Sequence, residues 1–469
     1  MKTRNIIIYA AALLVAAACN VGEAVKTETL PPIYPDYAGV TVPRGIAPLN
    51  FEVEGATRVA VEVTDGSRRL RAAGEYAHFP IGKWHRMLSR ADELTVSVRA
   101  LQDGIWKEYL PFGIYVSGDP IDAGIAYRRV DPGYELYAEM GLYQRTLGNF
   151  NERLVYRNDA CINCHSFAQC DPSSMQLHLR GPKGGTFIRS AAGEEVINMK
   201  NPLTIGTVYP YWHPSGRYVA YSVNDIKQSF HNLPGKVLEV YDLESDVVVY
   251  DVVERQLLVY PQLQDSTKFM TFPSFSPDGG TLYFCCTGAD PDFRNHHYSL
   301  CSVPFDPLTG KVGDTVTTLW SAEGRSASFP RPSYDGKYIM FTVSDFGNFS
   351  IWHPEADLWL LDLRSGEARC ISEINSGDTE SYHSWSSGSR WTVFSSRRDD
   401  GRYTRLYLSH LNDDGSFTKP FMLPQRKPVD NLLMLQSYNI PEFCSAKVSV
   451  PKRLLDAEQR NPIEAKYID

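Results

Sequence analysis

Apolar and polar residues alternate along short runs in the first quarter of the chain. The alternation is clear at residues 51–54, 58–63 and 94–99, and the turn signals Asp65-Gly66 and Asp103-Gly104 separate the runs. Because successive side chains of a strand face opposite sides of a sheet, each run predicts a β-strand with one buried face. Residues 34–118 are therefore predicted to form a small β-domain, and we see no cluster of catalytic residue types in it.

A longer pattern repeats in the second half of the chain. Each copy is a turn followed by an alternating strand, and the four copies are WHPSGRYVAY (212–221), FSPDGGTLYF (275–284), PSYDGKYIMF (332–341) and WSSGSRWTVF (385–394). Pro-Asp-Gly supplies a fixed φ and then a positive φ, as a tight turn requires. The copies start 63, 57 and 53 residues apart, which is long for one propeller blade but fits four strands with surface loops.

This repeat resembles the WD-like repeats of the TolB-type β-propeller family over residues 166–445. A further unit fits at 167–179, and a closing strand fits between 431 and 443. The resemblance implies a propeller of six blades, of which four are clear in the sequence. The N-terminal module resembles an immunoglobulin-like sandwich. The predicted fold class is all-β, with an N-terminal Ig-like β-sandwich followed by a TolB-like β-propeller.

The N-terminus has the pattern of an export signal. A short positive segment precedes an apolar stretch from Ile6 to Ala18, which is too short to span a bilayer as an ordinary helix, and Cys19 follows. The pattern resembles a bacterial lipobox, although Ala16 stands where such boxes usually hold Leu. We predict a signal peptide over 1–18, a lipid on Cys19 and a polar tether over 19–33. The alternative is simple secretion. Either prediction places the mature chain outside the cytoplasm, in the cell envelope.

The remaining boundaries follow from changes in composition. Residues 119–165 are rich in Tyr and are predicted to form a connector, with a short helix over 134–147 whose aromatic face is either core or a wall for a cofactor. The propeller is assigned to 166–450 and a C-terminal tail to 451–469.

The sequence Cys161-Ile162-Asn163-Cys164-His165 is the attachment pattern of c-type haem. Two thiols at this spacing reach the two vinyl groups of one porphyrin, and the adjacent His ligates the iron. The pattern therefore predicts a covalent haem c held by Cys161, Cys164 and His165. The alternatives are a redox-active pair or a disulfide of Cys161 or Cys164 with Cys170, and a zinc site that also recruits Cys170 and His178.

The second axial ligand of such a haem has four candidates in the sequence. His213 stands where the other repeats have Ser, His231 lies in a loop, and Met175 and His178 are nearest to the motif. A Met ligand raises the reduction potential, whereas a His ligand lowers it. Among the other cysteines, Cys286 and Cys301 are the one pair predicted to bridge neighbouring strands.

Composition narrows the function without fixing it. The net charge is −8 and no basic run stands out, which makes nucleic acid an unsuitable partner. We see no carboxylate pair, nucleophile–base motif or phosphate loop. Three functions remain: an envelope haem protein that transfers electrons or senses redox state with an unknown partner, a haem-free propeller that binds an envelope protein, and an enzyme with a haem oxidoreductase site in the propeller channel.

Overall fold

The computed structural model describes residues 23–131, 139–158, 160–181, 183–200, 206–233, 236–456 and 460–468. The predicted signal peptide and the lipid-bearing Cys19 lie outside the described residues. The chain divides into two compact units. The first contains 1–121, 146–151 and 407–435, and the second contains 122–145, 152–406 and 436–469.

The first unit is built on a mixed β-sheet. Its N-terminal elements are β1 (Val25–Lys26), β2 (Ile33–Tyr34), β3 (Thr41–Pro43), β4 (Glu52–Val53), β5 (Arg58–Thr64), β6 (Arg69–Gly74), α1 (Ile81–Leu88), β7 (Glu93–Gln102), β8 (Ile105–Glu108) and β9 (Phe112–Ser117). The main sheet has the order β1-β8-β7-β5-β6, with β9 joining β7 and β3 joining β9, and β2 pairs with β4. The predicted alternating runs are confirmed as strands.

The predicted tether is structured from residue 23 onward. Val25 and Lys26 pair in parallel with Lys107 and Glu108, and Thr27 donates from its amide to the Glu108 carbonyl at 2.8 Å. The prediction of a tether over 19–33 was therefore wrong for its second half. Polar composition concealed an edge strand, because an edge strand needs backbone pairing more than it needs apolar side chains.

The second unit consists of six sheets in which strands that follow one another in the chain pair antiparallel. Its strands are β10 (Gly124–Val130), β11 (Gly141–Thr146) and β12 (Glu152–Tyr156); β13 (Ile162–Ala168), β14 (Asp171–Leu179), β15 (Gly185–Ser190) and β16 (Gly193–Asn198); β17 (Thr207–Trp212), β18 (Tyr218–Leu233), β19 (Lys236–Asp251) and β20 (Gln256–Leu258); β21 (Lys268–Phe275), β22 (Thr281–Gly288), β23 (Ser299–Asp306), β24 (Lys311–Val312) and β25 (Thr317–Trp320); β26 (Ser326–Pro332), β27 (Tyr338–Ser344), β28 (Asp357–Asp362) and β29 (Ala368–Cys370); and β30 (Glu380–Trp385) and β31 (Trp391–Ser396).

The chain then passes into the first unit and returns. There it forms β32 (Arg405–His410), β33 (Phe421–Met422) and α2 (Asp430–Leu433), and Tyr407 and Leu408 pair with Met422 and Phe421. It ends in the second unit with β34 (Ser437–Cys444), α3 (Lys452–Leu455), β35 (Ile463–Glu464) and β36 (Lys466–Ile468).

Five blades follow the order of the chain and the sixth is assembled from its two ends. The innermost strands of blades 1–5 are β13, β17, β21, β26 and β30, and blade 6 has the order β12-β11-β10-β34. Each innermost strand packs on the next, and β34 packs on both β30 and β13. The circle is thus closed by antiparallel pairing of β34 with β10, in which Ile125 faces Phe443 and Arg128 faces Asn439. Within the described residues the sheets number six, and the predicted all-β fold with a six-bladed propeller is confirmed.

Closure from both ends changes the predicted boundaries. The segment 119–165 supplies three strands of blade 6 and the start of blade 1, so it is propeller and not connector. The helix predicted over 134–147 is wrong where the structure describes it, because Gly141–Thr146 is β11, and 132–138 lie outside the described residues. The tail after 451 is also integrated: β35 adds a fifth strand to blade 1 and β36 adds one to blade 2.

A buried arginine joins the closing blade to its neighbour. Arg128 donates from Nε to Asn439 Oδ1 at 3.1 Å on β34, and from Nη1 to the Ile162 carbonyl at 2.7 Å and Asn163 Oδ1 at 2.8 Å on β13. Its side chain is buried. The guanidinium therefore bonds the C-terminal strand of blade 6 and the first strand of blade 1 at once.

Substitution of this arginine tests the closure. We expect Arg128→Met to lower the free energy of unfolding by about 2–4 kcal/mol, because three acceptors, two of them buried, lose their donor. Differential scanning calorimetry measures the shift, with exposed Arg364→Met on blade 4 as the matched control. An unfolding temperature equal to that of the control variant would show that Arg128 does not hold the closure.

Candidate functional site

Each innermost strand carries one non-glycine residue with a positive φ at the same level of the propeller. These residues, which we call the ring residues, are Cys164 (φ 43°), Tyr209 (50°), Phe272 (54°), Phe329 (53°), Tyr382 (43°) and Ile440 (48°). The pairing register shifts at each of these bulges, as between Val208 and Tyr211 in β17. A positive φ is costly for a residue with a Cβ, so its recurrence in six strands indicates that the bulge is required by the fold.

The residue after each ring residue is Pro or His. The six are His165, Pro210, Pro273, Pro330, His383 and Pro441. Blade 1 therefore reads Cys164-His165-Ser166-Phe167 where blade 5 reads Tyr-His-Ser-Trp at 382–385. Cys164 and His165 of the haem-like motif therefore occupy two positions that have an equivalent in every blade. In blades 2–5 the ring residue lies three residues before the start of the repeat described from the sequence. The repeat pattern itself does not include the ring position.

Four aromatic ring residues close most of the propeller axis. Phe272 and Phe329 have ring centroids 4.0 Å apart, Tyr209 lies 4.5 Å from Phe272, and Tyr382 lies 4.8 Å from Phe329. The two remaining ring residues, Cys164 and Ile440, are neighbours on blades 1 and 6 and are smaller. The aromatic plug is therefore one-sided, and space remains on the side of blades 1 and 6.

A cavity of about 760 Å³ lies above the ring on that side, and we call it the mouth cavity. Blade 1 contributes Cys161, Asn163, Cys164 and the segments 178–181, 183–185 and 198–200. Strands β18 and β19 contribute the opposite wall, and the ring residues Cys164, Tyr209, Tyr382 and Ile440 contribute the floor. Its volume is in the range of sites that hold small ligands.

The opposite wall is an extension of blade 2 that the repeat pattern did not predict. Strands β18 and β19 each have 16 residues, and their paired outer portion, residues 226–233 and 236–242, is called the ribbon below. Phe230 on the ribbon is 58% exposed. Strands β18 and β19 are about twice as long as the innermost strands, which have six to eight residues.

Buried carboxylates fasten the ribbon to blades 3 and 4. Asp242 accepts from Tyr298 Oη at 2.7 Å and from Asn348 Nδ2 at 2.6 Å, and Glu239 Oε1 lies 3.2 Å from His353 Nε2. Glu355 Oε1 lies 3.0 Å from the other nitrogen of His353. Burial alone would lower the pKa of His353, but its hydrogen bonds with the two glutamates outweigh burial and raise that pKa to about 9. The imidazole is therefore a cation at neutral pH, and it holds the ribbon.

The haem-like motif is split between two sides of the ring. Cys161 and Cys164 line the mouth cavity, and Cys161 Sγ is 4.0 Å from Met140 Sδ. His165 lines instead a space of about 20 Å³ on the other side of the ring, with Arg331, His383 and Glu442. Cys164, as a ring residue, borders both spaces, and the bulge at Cys164 sets His165 at the lower one. The two thiols fit a haem in the mouth cavity, but His165 does not fit the role of its iron ligand.

The environment of His165 also makes it a poor ligand for the iron of a haem. Its imidazole is buried, and burial together with the charge of Arg128 lowers its pKa to about 3. Glu442 lies on the same side of the ring, where burial raises the pKa of its carboxyl to about 7 against the opposing charge of Arg331. This lower level of the channel is small, and the ring residues lie between it and the mouth cavity.

Of the four residues predicted as second axial ligands, the structure places one at the mouth cavity. His178 lines it, with Nδ1 3.0 Å from Thr186 Oγ1, and burial lowers its pKa to about 3. Met175 is fully buried in the core of blade 1. His231 lies on the ribbon and is not part of the cavity lining. His213 is a turn residue whose Nε2 lies 3.1 Å from the Gly279 carbonyl.

The position of His213 explains why it replaces Ser in the repeat. Its Nδ1 accepts from the Ser215 amide at 3.1 Å, much as Ser333 Oγ accepts from the Tyr338 amide at 3.0 Å in blade 4. The ring is buried against Phe275, with centroids 4.9 Å apart. The substitution is thus structural, and the interpretation of His213 as a ligand loses its motivation.

The other cysteine arrangements predicted from the sequence are not formed. Cys161, Cys164 and Cys170 are free thiols, as are Cys286 and Cys301. Cys170 lies at the far end of the channel, where its Sγ is 3.4 Å from Tyr334 Oη. No group of three or more His, Cys, Asp or Glu suited to a metal ion occurs in the described part of the chain.

Comparisons with known proteins find similarity in structure only. No protein-family model and no curated protein matches the sequence. TolB from Acinetobacter baumannii aligns at 14% identity over 77% of this chain and 85% of its own, with a TM-score of 0.44. A putative TolB from Agrobacterium tumefaciens aligns at 14% identity over 69% and 99%, with a TM-score of 0.39. A chain of the nidogen/laminin complex aligns at 9% identity over 69% and 100%, with a TM-score of 0.42. The fold assignment therefore rests on the six sheets and their closure.

The ionisation of His353 gives the ribbon a pH dependence. A basic group with a raised folded-state pKa contributes stability that is complete below its unfolded pKa, near 6.5, and is lost as the pH rises through about 9. Burial raises the pKa of Glu355, but the hydrogen bond and the charge of His353 outweigh burial and lower that pKa to about 2. The contribution of Glu355 to stability is therefore lost only in strong acid.

We expect His353→Gln to cost about 3 kcal/mol at pH 6 and progressively less toward pH 10. The unfolding temperatures of the variant and the wild type across this range measure the cost, with His297→Gln as a control. A cost that does not change with pH would contradict a charged His353.

Proposed function

We propose that this chain is an exported, membrane-tethered and non-catalytic propeller that binds a partner of the cell envelope at its mouth cavity and ribbon. The observation that carries the proposal is the mouth cavity itself, a preformed space at the channel mouth that is walled by a ribbon fixed in place by buried ionic and hydrogen bonds. Preformed concave sites flanked by exposed apolar residues are typical of binding proteins.

The residues that line the cavity support binding over chemistry. The described residues that line the cavity include no nucleophile–base pair. The pKa of His178, which lines the cavity, is strongly lowered, so its imidazole stays neutral. No helix in the described part of the chain is long and apolar enough to cross a membrane. The lipobox pattern supports attachment to the membrane through a lipid on Cys19.

A haem c electron-transfer protein is the competing candidate. It is favoured by the two thiols of Cys161 and Cys164 at a cavity of sufficient size. It is opposed by the place of His165 below the ring and by the recurrence of the Xaa-His-Ser-aromatic segment in blade 5, which has no cysteine. The repeat explains Cys164 and His165 without a cofactor.

A pyridine haemochrome spectrum separates the two candidates. We expect wild-type protein, produced with c-type haem maturation machinery, to carry no covalent haem, like its Cys161→Ala/Cys164→Ala control. A haem signal that survives denaturation in the wild type and disappears in the control would overturn the haem-free proposal and establish attachment at these thiols.

Site-specific photocrosslinking tests the binding surface. With p-benzoylphenylalanine in place of Phe230 on the ribbon, we expect a discrete crosslinked partner in envelopes of the native host, identified by mass spectrometry. The matched control places the same residue at Leu308, which is 85% exposed in the turn between β23 and β24. The same products from both positions, or no product from position 230, would contradict the proposal.

A further inference from the structure

The mouth cavity is basic although the protein is acidic. Four cationic residues line it, namely Arg128, Arg180, Lys183 and Lys200, against the carboxylate of Asp225. The whole chain has a net charge of −8. A concave site with low-dielectric walls concentrates the field of its charges, so this excess attracts anions against the sign of the protein as a whole.

The cations come from separate segments and differ in role. Arg128 is buried and its guanidinium is engaged by Asn439 and by β13, so it contributes positive potential and not a free donor. Arg180 follows β14 and Lys200 follows β16, and both are exposed at the rim. The positive charges of Arg180 and Lys200 contribute to lowering the pKa of the nearby His178. Their field therefore reaches the cavity wall.

Apolar side chains form part of the remaining cavity wall, beside polar residues such as Asn163 and Gln228. The apolar ones are Leu179 of blade 1, Met140 of blade 6, Leu238 and Val240 on the ribbon, and Ile440 on the floor. A ligand that fills the space must bury an apolar body against these side chains while its charge stays near the basic rim. A small hydrophilic anion would leave this apolar surface uncovered.

We propose that the mouth cavity binds an amphiphilic anion, a molecule with an apolar body and at least one carboxylate placed against Arg180 and Lys200. The inference rests on the proposed binding function and specifies the class of ligand at the same site. The carboxylate pairs with flexible cations at the rim, where both remain hydrated, and the apolar body lies between blade 1 and the ribbon.

A matched pair of fluorescent probes tests the charge requirement. We expect full-length processed protein to bind 1-pyrenebutyrate at least about tenfold more tightly than 1-pyrenebutanol, which has the same apolar body without the charge. Raising the salt concentration should weaken the binding of the anion and leave that of the alcohol unchanged, because salt screens exposed charges.

Substitutions at the rim locate the charge. The double variant Arg180→Gln/Lys200→Gln should lose about tenfold in affinity for pyrenebutyrate and keep its affinity for the alcohol. Both side chains are exposed, so folding is preserved. Lys227→Gln removes an exposed ribbon cation that does not line the cavity, and it should bind both probes like the wild type.

Cysteine alkylation locates the probe. Cys161 is half-buried and lines the cavity, whereas Cys286 and Cys370 are half-buried elsewhere. Bound pyrenebutyrate should slow the reaction of N-ethylmaleimide with Cys161 and leave the other two unchanged, as measured by peptide mass spectrometry.

The outcomes separate this inference from the proposed function. Equal binding of the two probes, no binding of either, or an unchanged affinity in the double variant would overturn the anion inference. A crosslinked partner at position 230 would still support the binding propeller in each of those cases. Failure of the crosslink together with selective binding of pyrenebutyrate would instead keep the ligand site and reject the protein partner.

Discussion

The propeller depends on one constraint, which is that six inner strands must share the limited space around a common axis. Each inner strand meets this constraint with a bulge that turns one residue into the channel at positive φ. Pro follows in four of the six strands, where the interrupted ladder needs no amide donor. The positive φ recurs in all six inner strands, so its cost belongs to a geometry that the whole fold shares.

This constraint explains where sequence reasoning succeeded. The turn and the strand after it, as at Phe275–Phe284, are local features, so their repetition was readable and the propeller followed. The closing strand was also placed correctly between 431 and 443, since its apolar pattern matches the other inner strands. What failed was the partner of that strand: β10 lies about 310 residues away, and no local pattern says which strands will pair across such a distance.

The haem-like motif shows how a short pattern acquires two meanings. Spacing alone made Cys161, Cys164 and His165 an attachment site, because the spacing rule assumes that all three face one cofactor. In the structure, Cys164 is a ring residue and His165 takes the place that Pro210 takes in blade 2, so the spacing has a second explanation and haem attachment stays a prediction. The ribbon was missed for a related reason: its anchors, such as Asp242 with Tyr298, are side-chain pairs between blades, which a single sequence does not display.

The one-sided ring connects the fold to the site. Where Tyr209, Phe272, Phe329 and Tyr382 stand, the axis is closed, and a propeller with six such residues would have no space at this level. Cys164 next to Ile440 leaves the gap, and blade 1 and the ribbon wall it above. The cations lie at that gap and not over the aromatic side of the ring. The charge and the shape of the cavity therefore favour the same kind of ligand. The cationic residues would repel a cation, and a polar anion would leave the apolar part of the wall exposed to water. An amphiphilic anion is complementary to both the cationic and the apolar parts of the cavity.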